Sequence, residues 1–140
     1  SLVMKETLRR YPPLPVIPRI AEREFEFKGY RVPKGAMVIV SALHSHNLAE
    51  WWDEPHRFDP ERFTPERAED QRHTHSYIPF GGGQHMCIGL RFAETQIKIV
   101  MHHLVRRYRW QTLPGYKMPV QQAPISKPLD GLPLLLKPLA

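Results

Sequence analysis

Phe80-Gly81-Gly82-Gly83-Gln84-His85-Met86-Cys87-Ile88-Gly89 is the stretch on which the fold turns, and it holds the only cysteine of the chain. Consecutive glycines let backbone approach a flat ligand closely and reach conformations closed to other residues. The longest helix-like pattern, Ile88 to Tyr108, opens directly behind the thiol. N–H groups and the dipole at a helix start favour the thiolate, the nucleophilic and metal-binding form. The ordinary alternative is a small buried core cysteine. Local chemistry therefore leaves nucleophile, zinc ligand and iron ligand open. Zinc needs further ligands in fixed geometry, and the pairs His44/His46, His73/His75 and His102/His103 come with no second cysteine. A Cys-His hydrolase could take its base from those histidines, but no orienting acid is identifiable. The Gly-Lys-Ser/Thr ending of a phosphate loop is absent.

Outward from this loop, Phe92, Ala93, Ile97, Val100, Met101, Leu104, Val105 and Tyr108 recur at helical spacing and predict one apolar stripe. At the other end, Ser1 to Tyr11 reads as a helix stopped by Pro12-Pro13. It has no N-cap segment, so the chain is expected to start inside an element. Leu14–Ile20 is apolar, proline-broken and extended. Phe25–Tyr30 alternates and turns at Lys28-Gly29, Arg31–Gly35 turns again, and Ala36–Ser41 reads as a buried strand. Together these predict a small antiparallel sheet. Ala42–Glu54 reads as one or two short helices, and Pro55–Tyr77 as a long ordered loop. Trp110–Ala140 returns to short strands, with Asp130-Gly131 as a hairpin tip. The class is α+β, mainly α, and its apolar faces exceed what they can cover mutually, so a further packing segment is expected.

Composition narrows the function. The chain has 140 residues, 41% hydrophobic and 24% charged, which suits one modest soluble domain. A single cysteine rules out an intramolecular disulfide and suits a reducing compartment. No signal peptide or membrane-length apolar run is visible. The net charge of +6 comes from scattered residues without a nucleic-acid-binding motif, so no nucleic acid is expected and an acidic protein partner fits.

Two further motifs accompany the cysteine loop. Glu6-Thr7-Leu8-Arg9 puts an acid and an arginine on one helix face. Phe58-Asp59-Pro60-Glu61-Arg62-Phe63 holds an arginine in a rigid, aromatic-flanked turn. In this order, the three resemble the C-terminal part of the haem-thiolate monooxygenases, the cytochrome P-450 family, and the resemblance runs through residues 1–140.

The resemblance implies the C-terminal portion of that fold: the Glu-x-x-Arg helix, a small antiparallel sheet, the meander loop, the cysteine loop, a long helix and final strands. It implies that Cys87 is the axial ligand of haem iron in iron protoporphyrin IX, haem b. The amides of Ile88 and Gly89 would soften the sulfur's charge. Phe80 would shield the ligand, and Gly83 and Gly89 would sit where a side chain would strike the porphyrin or the turn. Arg19 and His85 would reach propionates. His85 stands where the family more often has arginine, so its contact depends on protonation. Glu6, Arg9 and Arg62 match a structural triad that ties the first helix to the long loop. Val16 and Ile17 match the segment that touches substrate, and Ala123–Leu132 resembles tails of bacterial, retinoid- and sterol-metabolising members.

The implied activity is monooxygenation of an apolar organic substrate with O2 and two electrons. An acidic ferredoxin or flavoprotein reductase would dock near Arg91, Lys98, Arg106 and Arg107. The family's central proton-delivery helix has no counterpart here, so the N-terminal part of the fold is expected elsewhere, with any membrane anchor; a cytoplasmic, bacterial-type protein is the expectation. A truncated chain that binds no haem and a peroxide-driven haem oxidase are the alternatives.

Overall fold

The first helix, α1 (Leu2–Arg10), stops at the two prolines, which remove backbone donors and favour extended backbone before them. The computed structural model describes residues 1–139. Beyond α1, β1 (Val16–Ile20) pairs antiparallel with β4 (Met37–Ser41), in register from Val16↔Ser41 to Ile20↔Met37. Between them β2 (Phe25–Phe27) and β3 (Tyr30–Val32) form a hairpin. Its turn is Lys28-Gly29, both at positive φ (49° and 81°), the handedness that suits a tight hairpin. The expected single sheet is thus two separate ladders. Nor is β4 buried: Met37, Ile39 and Val40 are all exposed. An apolar run predicts burial on both faces only where other layers cover the sheet, and among the described residues this ladder has no such cover.

Ser41 Oγ accepts the N–H of His44 at 3.1 Å and caps α2 (Ala42–Ser45), the only helix where one or two were expected. Residues 46–77 contain only 3-10 turns, at Pro60–Phe63 and Glu69–Gln71. This irregular stretch nevertheless holds the best-packed part of the molecule. Trp52 is fully buried, Phe63 is buried, and their rings lie 5.7 Å apart, with Tyr77 5.1 Å from Phe63. Leu8 of α1 and Ile78 complete this small core.

After the cysteine loop, α3 runs over Leu90–Arg107, two residues shorter than expected at its start and one at its end. β5 (Tyr108–Gln111) then pairs with β8 (Leu135–Pro138), and β6 (Val120–Gln121) with β7 (Lys127–Pro128). Asp130-Gly131 is therefore no hairpin tip, because the strands on either side of it choose other partners. It forms a turn in which Asp130 Oδ1 accepts the N–H of Leu132 at 3.1 Å.

None of the residues of α3 is buried, although its apolar stripe is as the spacing predicts. The accessible surface is 10532 Å². A compact monomer of 16.4 kDa exposes about 7,500 Å², so the chain carries much more open surface than a self-contained domain. Among the described residues no helix is long and apolar enough to cross a membrane.

Candidate functional site

The cysteine loop closes on itself. Cys87 N–H donates to Phe80 O at 2.9 Å, Gly81 N–H to Ile78 O at 3.0 Å and Met86 N–H to Gly83 O at 3.2 Å. Gly81 and Gly83 take positive φ (76° and 63°), which L side chains resist. A Cβ on Gly81 would lie 3.4 Å from His85 O, whereas one on Gly83 would meet no atom of the chain. The requirement at Gly83 is therefore backbone handedness, not crowding by protein. Cys87 itself is exposed.

Cys87, Phe80, His85, Arg19, Ile17 and Leu14 line one cleft of about 430 Å³. The loop supplies Cys87, Phe80 and His85, and β1 supplies Ile17 and Arg19, two residues apart and so on one face of the strand. Arg19 Nη1 donates to Pro18 O at 2.9 Å, and among the described residues no carboxylate pairs with Arg19 or His85. One thiol, apolar walls and two basic side chains without acidic partners fit a flat apolar ring that carries anionic groups and a thiol-seeking metal. Val16, Gly83, Ile88 and Gly89 do not line the cleft. Strand alternation turns Val16 away from the side that Ile17 faces. Ile88 and Gly89 form a turn before α3, and the sulfur lies 3.7 Å from where a Gly89 Cβ would stand.

Behind the loop lies a buried ionic cluster. Glu6 grips Arg9 with both oxygens (Oε2–Nε 2.7 Å, Oε1–Nη2 2.8 Å), and its Oε1 also accepts Arg62 Nε at 3.3 Å and Asp59 N–H at 2.9 Å. Arg9 spends its other donors on the carbonyls of His46 (2.6 Å) and Pro55 (2.8 Å). Arg62 Nη1 reaches Asp53 O at 2.9 Å and Glu69 Oε2 at 2.7 Å. Glu6, Arg9, Arg62 and Glu69 are all fully buried. The expected triad alone would leave one uncompensated positive charge in the interior; Glu69 makes the set neutral. Arg67, partly exposed, backs Glu69 and donates to Asp59 Oδ2 at 2.7 Å, which holds the Asp59 carboxyl below its usual range. Among the described residues no buried side-chain nitrogen or oxygen lacks a partner, the condition under which a buried ionic set is tolerated.

The sequence pattern of the Cytochrome P-450 family matches residues 1–134. The chain belongs to the cytochrome P-450 family. It is 42% identical over 139 residues to a Mycobacterium tuberculosis protein carrying the cytochrome P-450 136 name, covering 99% of this chain and 28% of that protein. It is 43% identical over 108 residues to the sterol 14alpha-demethylase of Mycolicibacterium vanbaalenii, covering 77% of this chain and 24% of that one. Among solved structures, the retinoic acid-bound cyanobacterial CYP120A1 superposes with a TM-score of 0.91 at 32% identity, covering 99% of this chain and 32% of that one. The chain thus spans roughly a quarter to a third of the length of these P-450 relatives. Its α+β fold, with few helices and small antiparallel ladders, is a partial P-450 fold. P-450s are haem-thiolate oxidoreductases, and the donor set of the cleft suits that cofactor.

Two members of this P-450 chain's framework escaped the sequence reading. Glu69 sits in the aperiodic stretch, seven residues after Arg62, and only the charge imbalance of the triad pointed to a missing carboxylate. His46, noted in the sequence only beside His44 as a possible metal ligand, is fully buried against α1 and the loop, a role that no local pattern marks. The four cations of α3 do not all share one face. Lys98 lies in the groove against α1 with Ile97 and Met101. Arg107, nine residues on at about 100° each, points the opposite way. Arg91 is paired with Glu94 at 3.2 Å.

Proposed function

We propose that residues 1–140 are the C-terminal, haem-ligand portion of a monooxygenase acting on an apolar organic substrate. The observation that carries this reading is the single cleft shared by Cys87, Phe80, His85 and Arg19. In it Cys87 would hold the iron of haem b, Arg19 and His85 would hold its propionates, and Phe80 would shield the sulfur. When bound, the haem supplies O2 activation, with two electrons from a redox partner, one oxygen atom passing to the substrate and the other to water.

The chain's own residues orient and tune. The Phe80 O–Cys87 N bond fixes the sulfur at the mouth of the loop. With haem bound, the Cys87 thiolate would supply electron density to the iron. Leu14, Ile17 and Phe80 keep the cleft apolar, and Ile17, rather than Val16, meets the substrate or ring edge. Glu6, Arg9, Arg62 and Glu69 hold the frame and do no chemistry. The open stripe of α3 packs against the remainder of the same fold, consistent with the excess surface and with the fraction of each relative that the chain spans. The redox partner is an acidic ferredoxin or a flavoprotein. A cytoplasmic setting is supported by the exposed free thiol and by the bacterial relatives.

The test is a haem titration of the purified chain, reduced and exposed to carbon monoxide. A thiolate-type Soret shift that Cys87→Ser abolishes supports the assignment. No shift from the unsubstituted chain favours a remnant that binds no haem, and one equivalent of bound zinc would overturn the reading.

A further inference from the structure

A buried titratable side chain that the proposed chemistry does not use joins the ionic cluster to the cysteine loop. His46 is fully buried. Its Nδ1 lies 3.0 Å from Arg9 O and its Nε2 accepts the N–H of Ile78 at 2.8 Å. Arg9 O is in the last turn of α1, where carbonyls have no partner within the helix. Ile78 N–H is a buried donor and needs an acceptor. Both demands are met by one protonation state only, the neutral ring with hydrogen on Nδ1. Tyr77, next to Ile78, adds a second tie to the same helix by donating its hydroxyl to Lys5 O at 3.1 Å.

We propose that His46 is a positioning residue for the Cys87 loop, its neutral ring clamping the loop's entry at Ile78 to the C-terminal turn of α1. From Ile78 the constraint passes through the loop's own bonds: Ile78 O holds Gly81 N–H, and Phe80 O holds Cys87 N–H. The ring cannot slide, because its backbone carbonyl is held by Arg9 Nη1 at 2.6 Å and its face stacks on Tyr77 at 5.4 Å. The charged and titratable groups facing it are the Arg9 guanidinium from α1, with Glu6 paired behind it, and the Tyr77 phenol from the segment before the loop. Burial first, and the Arg9 charge as well, push the His46 pKa down to about 4, while its bond to the Arg9 carbonyl raises it. Protonation would put a hydrogen on Nε2, facing another donor, and the clamp would open. This goes beyond the haem assignment, since it needs no haem and stands whatever Cys87 binds.

The experiment uses the purified protein without haem. Ring ¹⁵N shifts of His46 at neutral pH should report a protonated Nδ1 and a bare Nε2; the opposite tautomer or an imidazolium overturns the proposal without any substitution. Two variants then separate the two bonds. His46→Gln keeps an acceptor near Nε2 and should leave Ile78 amide exchange and Cys87 alkylation within about threefold of the parent. His46→Asn keeps a donor near Nδ1 but does not reach Ile78. It should raise both rates about tenfold, the loss of one net hydrogen bond. Equal effects of the two variants at Ile78 and Cys87, whether large or absent, would overturn it. A haem titration that fails while these results hold removes the cofactor reading and leaves the clamp.

Discussion

The loop of residues 46–77 and the helix α3 invert the usual relation between regularity and burial. The loop has no element longer than four residues, yet it contains Trp52, Phe63, Arg62 and Glu69, all buried. α3 is the longest element and buries nothing. The loop is held by bonds that leave the segment: Arg62 to Glu6, Arg9 to the carbonyls of His46 and Pro55, Lys5 to Asp70. α3 is held by its own backbone ladder, and its side chains await another surface. An amphipathic pattern states which face will be covered, whereas a satisfied polar network states that the covering has already happened.

The largest expected effect is in the loop. Glu6→Gln removes the carboxylate shared by two buried arginines and should cost about 3–5 kcal/mol in urea denaturation. Glu69→Gln attacks the same balance from the other end. It should cost about 3 kcal/mol, the lower end of that range, since Arg67 is partly exposed and can meet water; a loss no greater than for a surface residue would mean that three residues suffice. Acid should unpick the same region. The unfolded chain takes up a proton at His46 near the ordinary histidine value of 6.5, while burial delays this in the folded chain to about 4. Stability held above pH 6.5 should therefore fall through that window by roughly 3 kcal/mol and then level off. His46→Gln should flatten that part of a pH–stability curve. Gly81→Ala, strained by its positive φ, should cost about 2 kcal/mol by thermal denaturation. At the small end, Phe92→Ser and Val100→Ser on α3 should move stability by less than about 0.5 kcal/mol, both residues being exposed. A loss of several kcal/mol there would show that the stripe is covered and would abolish the contrast between the two regions.

What could be read in advance followed the range of the interaction. Glu6 and Arg9 are three residues apart on one helix, so their pairing is a local property. The loop from Phe80 to Gly89 is likewise self-contained, and its glycines announce its turns. Arg62 was found through its motif rather than its geometry. Glu69 and His46 pair across stretches without periodicity, where spacing carries no information. Asp130-Gly131 had the composition of a hairpin tip, but pairing is decided by the available strands, and β8 found β5. Ala36–Ser41 was apolar enough for a core strand, but exposure is set by neighbouring layers. Val16 and Ile17 read as one apolar segment, but the period of a strand allows only Ile17 to face the cleft.

The two positive-φ glycines of the cysteine loop differ in a way that bears on chirality. At Gly81 a side chain of the L-form would meet both an unfavourable φ and a carbonyl 3.4 Å away. At Gly83 the protein leaves the space open and asks only for φ near 63°. That is an ordinary backbone angle for a D-residue. D-alanine at position 83 should therefore take that backbone angle without strain and lose some of the unfolded chain's freedom, whereas L-alanine at the same place would be strained. Mirror-image substitution turns a conformational demand into a handedness that a synthetic chain can be made to read.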